Sequence, residues 1–158
     1  MFRGGVLVVS DRGWRGERED ESGKIACGYL DRLGIDVAKY AVVPDDVDVI
    51  AATLKQWADV EGLDVIVTSG GTGLASRDVT PEATLTVIDR AIPGLAEAMR
   101  MRTAEKKPEA LLSRAVAGNR GKCLIINLPG SPAAVRECLE VILPVIPHAI
   151  EILGGKGH

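Results

Sequence analysis

The stretch Val65-Ile66-Val67-Thr68-Ser69-Gly70-Gly71-Thr72-Gly73 decides the fold. Three β-branched residues in a row read as a strand buried on both faces, as in the middle of a parallel sheet. The strand runs straight into a turn with three glycines. Such a turn lets backbone N–H groups come close to an anion. Thr68, Ser69 and Thr72 offer hydroxyl donors beside it. Taken alone, the glycine trio reads as a tight strand-to-helix turn, so its surroundings must decide. It is not a Walker A loop, because no Gly-Lys-Ser/Thr follows, and it is not Gly-x-Gly-x-x-Gly.

Upstream, Val6-Leu7-Val8-Val9 is another apolar run and reads as the first strand. Residues 11–21 form a charged loop. Ile25, Ala26, Tyr29, Leu30 and Leu33 recur at helical spacing, and Gly34 stops that helix. Residues 35–43 read as a second strand. Asp45 or Asp46 can cap the next helix, whose stripe is Val47, Ile50, Leu54, Trp57 and Ala58.

Downstream, Thr80-Pro81-Glu82 opens a helix with Thr80 as its cap. Pro93-Gly94 breaks it, residues 95–103 continue as another helix, and residues 105–109 form a charged connector. Residues 114–117 and 123–127 read as a hairpin joined through Gly118-Asn119-Arg120-Gly121. Ser131-Pro132 repeats the cap-then-proline start, with Val135, Cys138, Leu139 and Ile142 as the inner stripe. Pro144 and Pro147 end that helix before a short closing one through Leu153. Alternating strands and helices predict an α/β fold. The expectation is a three-layer α/β/α sandwich with a mostly parallel sheet and one antiparallel strand from the hairpin. At 158 residues the chain suits a single domain, residues 1–158.

Composition narrows the function. The formal net charge is -3 and the basic residues are dispersed, which argues against nucleic acid or an acidic membrane as partner. The N-terminus shows no signal-peptide pattern, and no apolar run approaches the ~18 residues of a membrane span. Cys27, Cys123 and Cys138 are odd in number and sit among apolar neighbours. They read as free thiols in a reducing cytoplasm. His148 and His158 are the only histidines, too few for a histidine metal cluster and poorly placed for a Ser-His-Asp site.

Each buried strand ends in small or acidic residues. The endings are Ser10-Asp11, Pro44-Asp45-Asp46, Thr68 through Gly73, and Asn127-Leu128-Pro129-Gly130-Ser131. In a parallel sheet all four lie along the carboxyl edge, where open α/β sheets bind ligands. Ser131-Pro132 offers a second helix N-terminus there for an anion. Asp45, Asp46 and Asp78 are candidates for a divalent ion, since Mg²⁺ takes one or two carboxylates and completes its shell with phosphate and water. Residues 12–20 read as a solvated loop.

Thr68-Ser69-Gly70-Gly71-Thr72-Gly73, followed by Arg77-Asp78-Val79-Thr80-Pro81-Glu82-Ala83-Thr84, closely resembles the signature of the MogA/MoaB family. These are molybdenum-cofactor biosynthesis proteins related to the G domains of gephyrin and plant Cnx. Ser10-Asp11, Asp20-x-Ser22-Gly23, Val43-Pro44-Asp45-Asp46 and Asn127 through Pro132 extend the match over essentially the whole chain. The resemblance implies a molybdopterin adenylyltransferase that converts molybdopterin and Mg-ATP to adenylylated molybdopterin and pyrophosphate. By that resemblance Asp45 and Asp78 are the catalytic and metal-holding acids. Ser10, Asp11, Thr68, Ser69, Gly70, Gly71, Thr72 and Gly73 bind substrate, with Pro129, Gly130 and Ser131 in a second loop. It also implies a homotrimer or hexamer and a MoeA-like partner that inserts molybdenum. The rival expectations are a non-catalytic, MoaB-like paralogue that only binds molybdopterin, and a CinA-like nucleotide pyrophosphatase.

Overall fold

A computed structural model describes residues 1–156; His158 lies outside the described residues. β1 (Arg3–Val9) and a one-turn α1 (Asp11–Trp14) lead to α2 (Ser22–Arg32) and β2 (Asp36–Val43). Next come α3 (Val47–Lys55), a π-helical turn over Gln56–Val60, β3 (Val65–Ser69), α4 (Thr80–Leu85) and β4 (Arg90–Ala91). α5 (Pro93–Ala104), β5 (Ala117–Arg120), β6 (Cys123–Leu128), α6 (Pro132–Ile142) and α7 (Ile146–Leu153) complete the chain. The six strands form one sheet in the order β2-β1-β3-β6-β5-β4. β2, β1, β3 and β6 run parallel, and β5 runs antiparallel between β6 and β4. No helix among the described residues is long and apolar enough to cross a membrane.

The period-two geometry of a strand sorts the apolar residues between two cores. Val6, Val8, Val65, Val67, Leu124, Ile126 and Leu128 face α2, α5, α6 and α7. Leu7, Val9, Ile66, Cys123 and Ile125 face α3 and α4, with Ile50, Leu54 and Trp57 packed on them. This double coverage explains why the strands read as continuous apolar runs. Each fully buried aliphatic side chain contributes about 1.5–3 kcal/mol through removal from water.

Local signals behave as their chemistry requires. Gly34 takes φ +76° just after α2, a conformation that favours a residue without Cβ. Asp46 Oδ1 accepts from Val49 N at 3.0 Å and so caps α3, which leaves Asp45 free of that duty. Ser131 Oγ accepts from Ala134 N at 3.3 Å at the start of α6.

Four expectations need correction. The hairpin strand is Ala117–Arg120, not residues 114–117. The turn is tighter than expected, with Arg120 opposite Cys123 and Gly121 at φ +55°. Gly118 belongs in the strand because a side chain there would meet the Arg90 carbonyl of the edge strand β4. Pro93 opens α5 instead of breaking a helix, consistent with the preference of proline for a first turn. Thr80 is not a helix cap: its Oγ1 donates to Gly70 O at 2.9 Å. Residues 11–21 are not all loop, since Ser10 Oγ accepts from Gly13 N at 3.0 Å and starts α1.

Candidate functional site

The chain crosses from β1 outward to β2 on one side and to β3 on the other, so the sheet has a topological switch point at β1/β3. Ligand crevices in open α/β sheets form outside the carboxyl ends at such a point. A cleft of about 820 Å³ lies there, floored by Val8, Val9, Ser69 and Gly70. Ser10, Asp11, Asp45, Gly71, Asp78, Gly130 and Ser131 also line it.

Hydrogen bonds hold the loops around this cleft in register. Gly70 N donates to Leu128 O at 3.1 Å and Ser69 Oγ to Pro129 O at 2.9 Å, joining the loops that follow β3 and β6. Ser22 Oγ donates to Gly130 O at 2.6 Å and ties α2 to the same place. Gly70 and Gly71 take φ +103° and +69°. A side chain at Gly70 would meet Val9 O, and one at Gly71 would meet Thr80 Oγ1. The turn is therefore bare backbone by necessity.

The acidic residues are bracketed as well. Asp11 N donates to Asp45 Oδ2 and Asp45 N donates to Asp11 Oδ1, both at 2.9 Å. Arg77 closes on Asp11 with Nε to Oδ2 and Nη2 to Oδ1, each 3.0 Å. Thus the loops after β1, β2 and β3 are linked through Asp11. The Asp45 N–H, then the Arg77 guanidinium, hold the Asp11 carboxyl below its ordinary range against the opposing effect of burial. Burial raises the Asp45 carboxyl. The Asp11 N–H counteracts this, while the Asp11 and Asp78 charges add to the rise. Asp78 Oδ2 accepts from Ala75 N at 3.0 Å.

Among the described residues no three acidic, histidine or cysteine side chains converge on a metal position. The Asp45/Asp78 pair still fits Mg²⁺, which needs only one or two carboxylates when phosphate supplies further oxygens. The two acids face the same turn. Asp45 Oδ1 lies 3.2 Å from the position of a Cβ on Gly71, and Asp78 Oδ2 lies 2.9 Å from one on Gly73. Their mutual repulsion at Asp45 is what a cation between them would relieve.

Some expected site residues lie elsewhere. Thr68 is fully buried and its Oγ1 accepts from Asn127 Nδ2 at 3.0 Å, so it does not face the cleft. Thr72, Gly73 and Pro129 line a second cavity of about 260 Å³, between the glycine loop, α5 and α6. Asp46 is the α3 cap. Sequence reasoning assigned no role to Arg12, Arg18, Asp20 and Ser22, all of which line the main cleft. The Asp20-x-Ser22-Gly23 match was the available signal for two of them. Asp20 Oδ1 accepts from Gly23 N at 2.8 Å, while its Oδ2 is buried without a partner.

Comparison with known proteins identifies the family and the fold. Residues 5–148 match the family model described as "Probable molybdopterin binding domain", and the chain belongs to that family. It is 44% identical over 154 residues to a molybdopterin adenylyltransferase of Helicobacter pylori, covering 96% of this chain and 88% of the relative. It is 40% identical over 153 residues to molybdenum cofactor biosynthesis protein B of Staphylococcus carnosus, covering 94% and 88%. The crystal structure of the molybdopterin biosynthesis enzyme MoaB from Thermus thermophilus superposes with a TM-score of 0.93 at 54% identity, over 98% of each chain.

Proposed function

We propose that this protein is a molybdopterin adenylyltransferase. A phosphate oxygen of molybdopterin forms a bond to the α-phosphorus of ATP. The bond from that phosphorus to the β-bridging oxygen breaks, and its electron pair leaves with pyrophosphate. A phosphate monoester is already largely anionic near neutral pH, with its second pKa about 6, so no strong general base is needed. Transfer of this kind depends on positioning and charge neutralisation.

The observation that carries the reading is the pair Asp45 and Asp78. They come from different loops, and both lie against the bare backbone of the glycine turn. The names of the curated relatives supply the substrate. Gly70 and Gly71 present backbone to the phosphates, and the N-terminus of α6 at Ser131 adds a favourable dipole. Asp45 and Asp78 would hold Mg²⁺, which supplies positive charge to the polyphosphate. The Arg77–Asp11 bracket keeps Asp45 in place.

The second cavity is assigned to the pterin. It offers Met99 and Ala96 as apolar wall, with Thr103, Ser113 and Glu137 as polar partners, a suitable lining for a flat heterocycle. The glycine loop walls both cavities, so one ligand with a pterin end and a phosphate end can span it.

The family resemblance supports three further parts of this reading: a cytoplasmic location, a homotrimer or hexamer, and a MoeA-like partner. Sedimentation of the purified chain tests the oligomer. Incubation with molybdopterin, ATP and Mg²⁺, following pyrophosphate release, tests the activity. Release that requires molybdopterin is expected. Molybdopterin bound without turnover would leave the non-catalytic paralogue, and release without molybdopterin would point to a CinA-like pyrophosphatase.

A further inference from the structure

We infer that Arg12 and Arg18 seat the β- and γ-phosphates of the nucleotide, and so receive the departing pyrophosphate. This rests on the adenylyltransferase reading and adds the residues that handle the leaving group. Two further arginines lie close by in the loops that follow β1 and β3 but are already paired. Arg77 is committed to Asp11, and Arg15 to Glu17 at 2.7 Å. Arg12 and Arg18 are exposed and line the cleft. Neither guanidinium has a hydrogen-bond or ion-pair partner among the described residues.

Charge gives these two a task. The other ionisable groups lining the cleft are all acidic: Asp11, Glu19, Asp20, Glu21, Asp45 and Asp78. A polyphosphate entering such walls needs cations, and a free guanidinium binds phosphate oxygens in a two-pronged fashion.

Topology gives them the right side. In the order β2-β1-β3-β6, residues 11–21 overhang the β1 end and the second cavity opens on the β6 side. The glycine turn lies between. In-line displacement places the attacking and leaving oxygens on opposite sides of the α-phosphorus. With the pterin phosphate arriving from the β6 side, the Pα–O bond breaks towards β1. Its electron pair passes to pyrophosphate beneath Arg12 and Arg18.

The test is calorimetric titration of the full chain with Mg²⁺-pyrophosphate and, separately, with AMP, for wild type and the R12Q/R18Q variant. Both side chains are exposed, so the variant should melt as wild type does. Pyrophosphate affinity should fall about tenfold for each arginine removed, and AMP affinity should not change. The KM for ATP should rise in step with the pyrophosphate loss. Equal pyrophosphate affinity in wild type and variant, or AMP affinity falling in parallel, would overturn the assignment. Failure of the parent reading looks different: wild type would then form no adenylyl-molybdopterin, whatever the titrations show.

Discussion

Replacing Gly71 with alanine tests the conformation on which the site depends. Gly71 holds φ +69°, and its missing Cβ would fall on Thr80 Oγ1 and 3.2 Å from Asp45 Oδ1. A left-handed alanine costs about 1–2 kcal/mol. Thr80 must also move, which breaks its 2.9 Å hydrogen bond to Gly70 O. A buried carbonyl left without its donor costs about 1–3 kcal/mol more. The expected loss is therefore about 2–5 kcal/mol, or a fall in Tm of about 4–20 °C at this chain length. Urea unfolding followed by far-UV circular dichroism reads the first quantity, and calorimetry the second. Gly28 is the internal control, because it is exposed in α2 with open space around it. Alanine there should stabilise by about 0.5–1 kcal/mol. A Gly71→Ala protein as stable as wild type would refute the left-handed, tightly packed turn described above.

Other consequences are equally open to measurement. Asp78→Asn should nearly abolish adenylylation while urea unfolding stays close to wild type, because the amide oxygen can still accept from Ala75 N; wild-type rates would remove Asp78 from the mechanism. Arg77→Ala should lower kcat by about ten- to a hundredfold by releasing the Asp11–Asp45 bracket. Its effect on stability should stay under about 1 kcal/mol, because the Arg77 side chain is 66% exposed. Large destabilisation with unchanged kcat would reverse that assignment. Burial pushes the Cys123 thiol from 9.0 up to about 12 and Cys138 up to about 11. Below pH 9 both thiols are protonated in the folded and unfolded chains, and their contribution is fully present. Above it only the unfolded chain loses those protons. Stability then falls by about 1.4 kcal/mol per pH unit for each thiol, until the folded thiols titrate. Between pH 9 and 11 the C123A/C138A protein should show a correspondingly flatter decline in urea midpoint, and equal slopes would contradict the burial account.

The parts of the fold legible in the sequence are those where local pattern and tertiary demand coincide. Val65-Ile66-Val67 is apolar on both faces because helices cover both faces. Gly34 and Ser131 announce helix ends through backbone chemistry that operates within a few residues. Where a distant partner decides, pattern fails. Gly118 and Asn119 look like a turn yet pair with Ala91 and Arg90, and that pairing is the whole of β4. Thr80 has the composition of a cap, but Gly70 O, ten residues away, takes its hydroxyl. The site divides the same way. Glycines and acids at strand ends mark the cleft, whereas the Arg77–Asp11–Asp45 bracket joins three loops that no local spacing connects. Arg12 and Arg18 sit in a segment without periodicity, and only the folded loop shows that they reach the cleft.

The central claim is that this cleft joins AMP to molybdopterin. Its most direct test is a single-turnover reaction with ATP labelled at the α-phosphate, in the presence of molybdopterin and Mg²⁺. The account predicts that label and pterin fluorescence elute together, with one pyrophosphate released for each adduct, and that Asp78→Asn yields almost none. Label that stays in ATP while molybdopterin remains bound to the protein would contradict it.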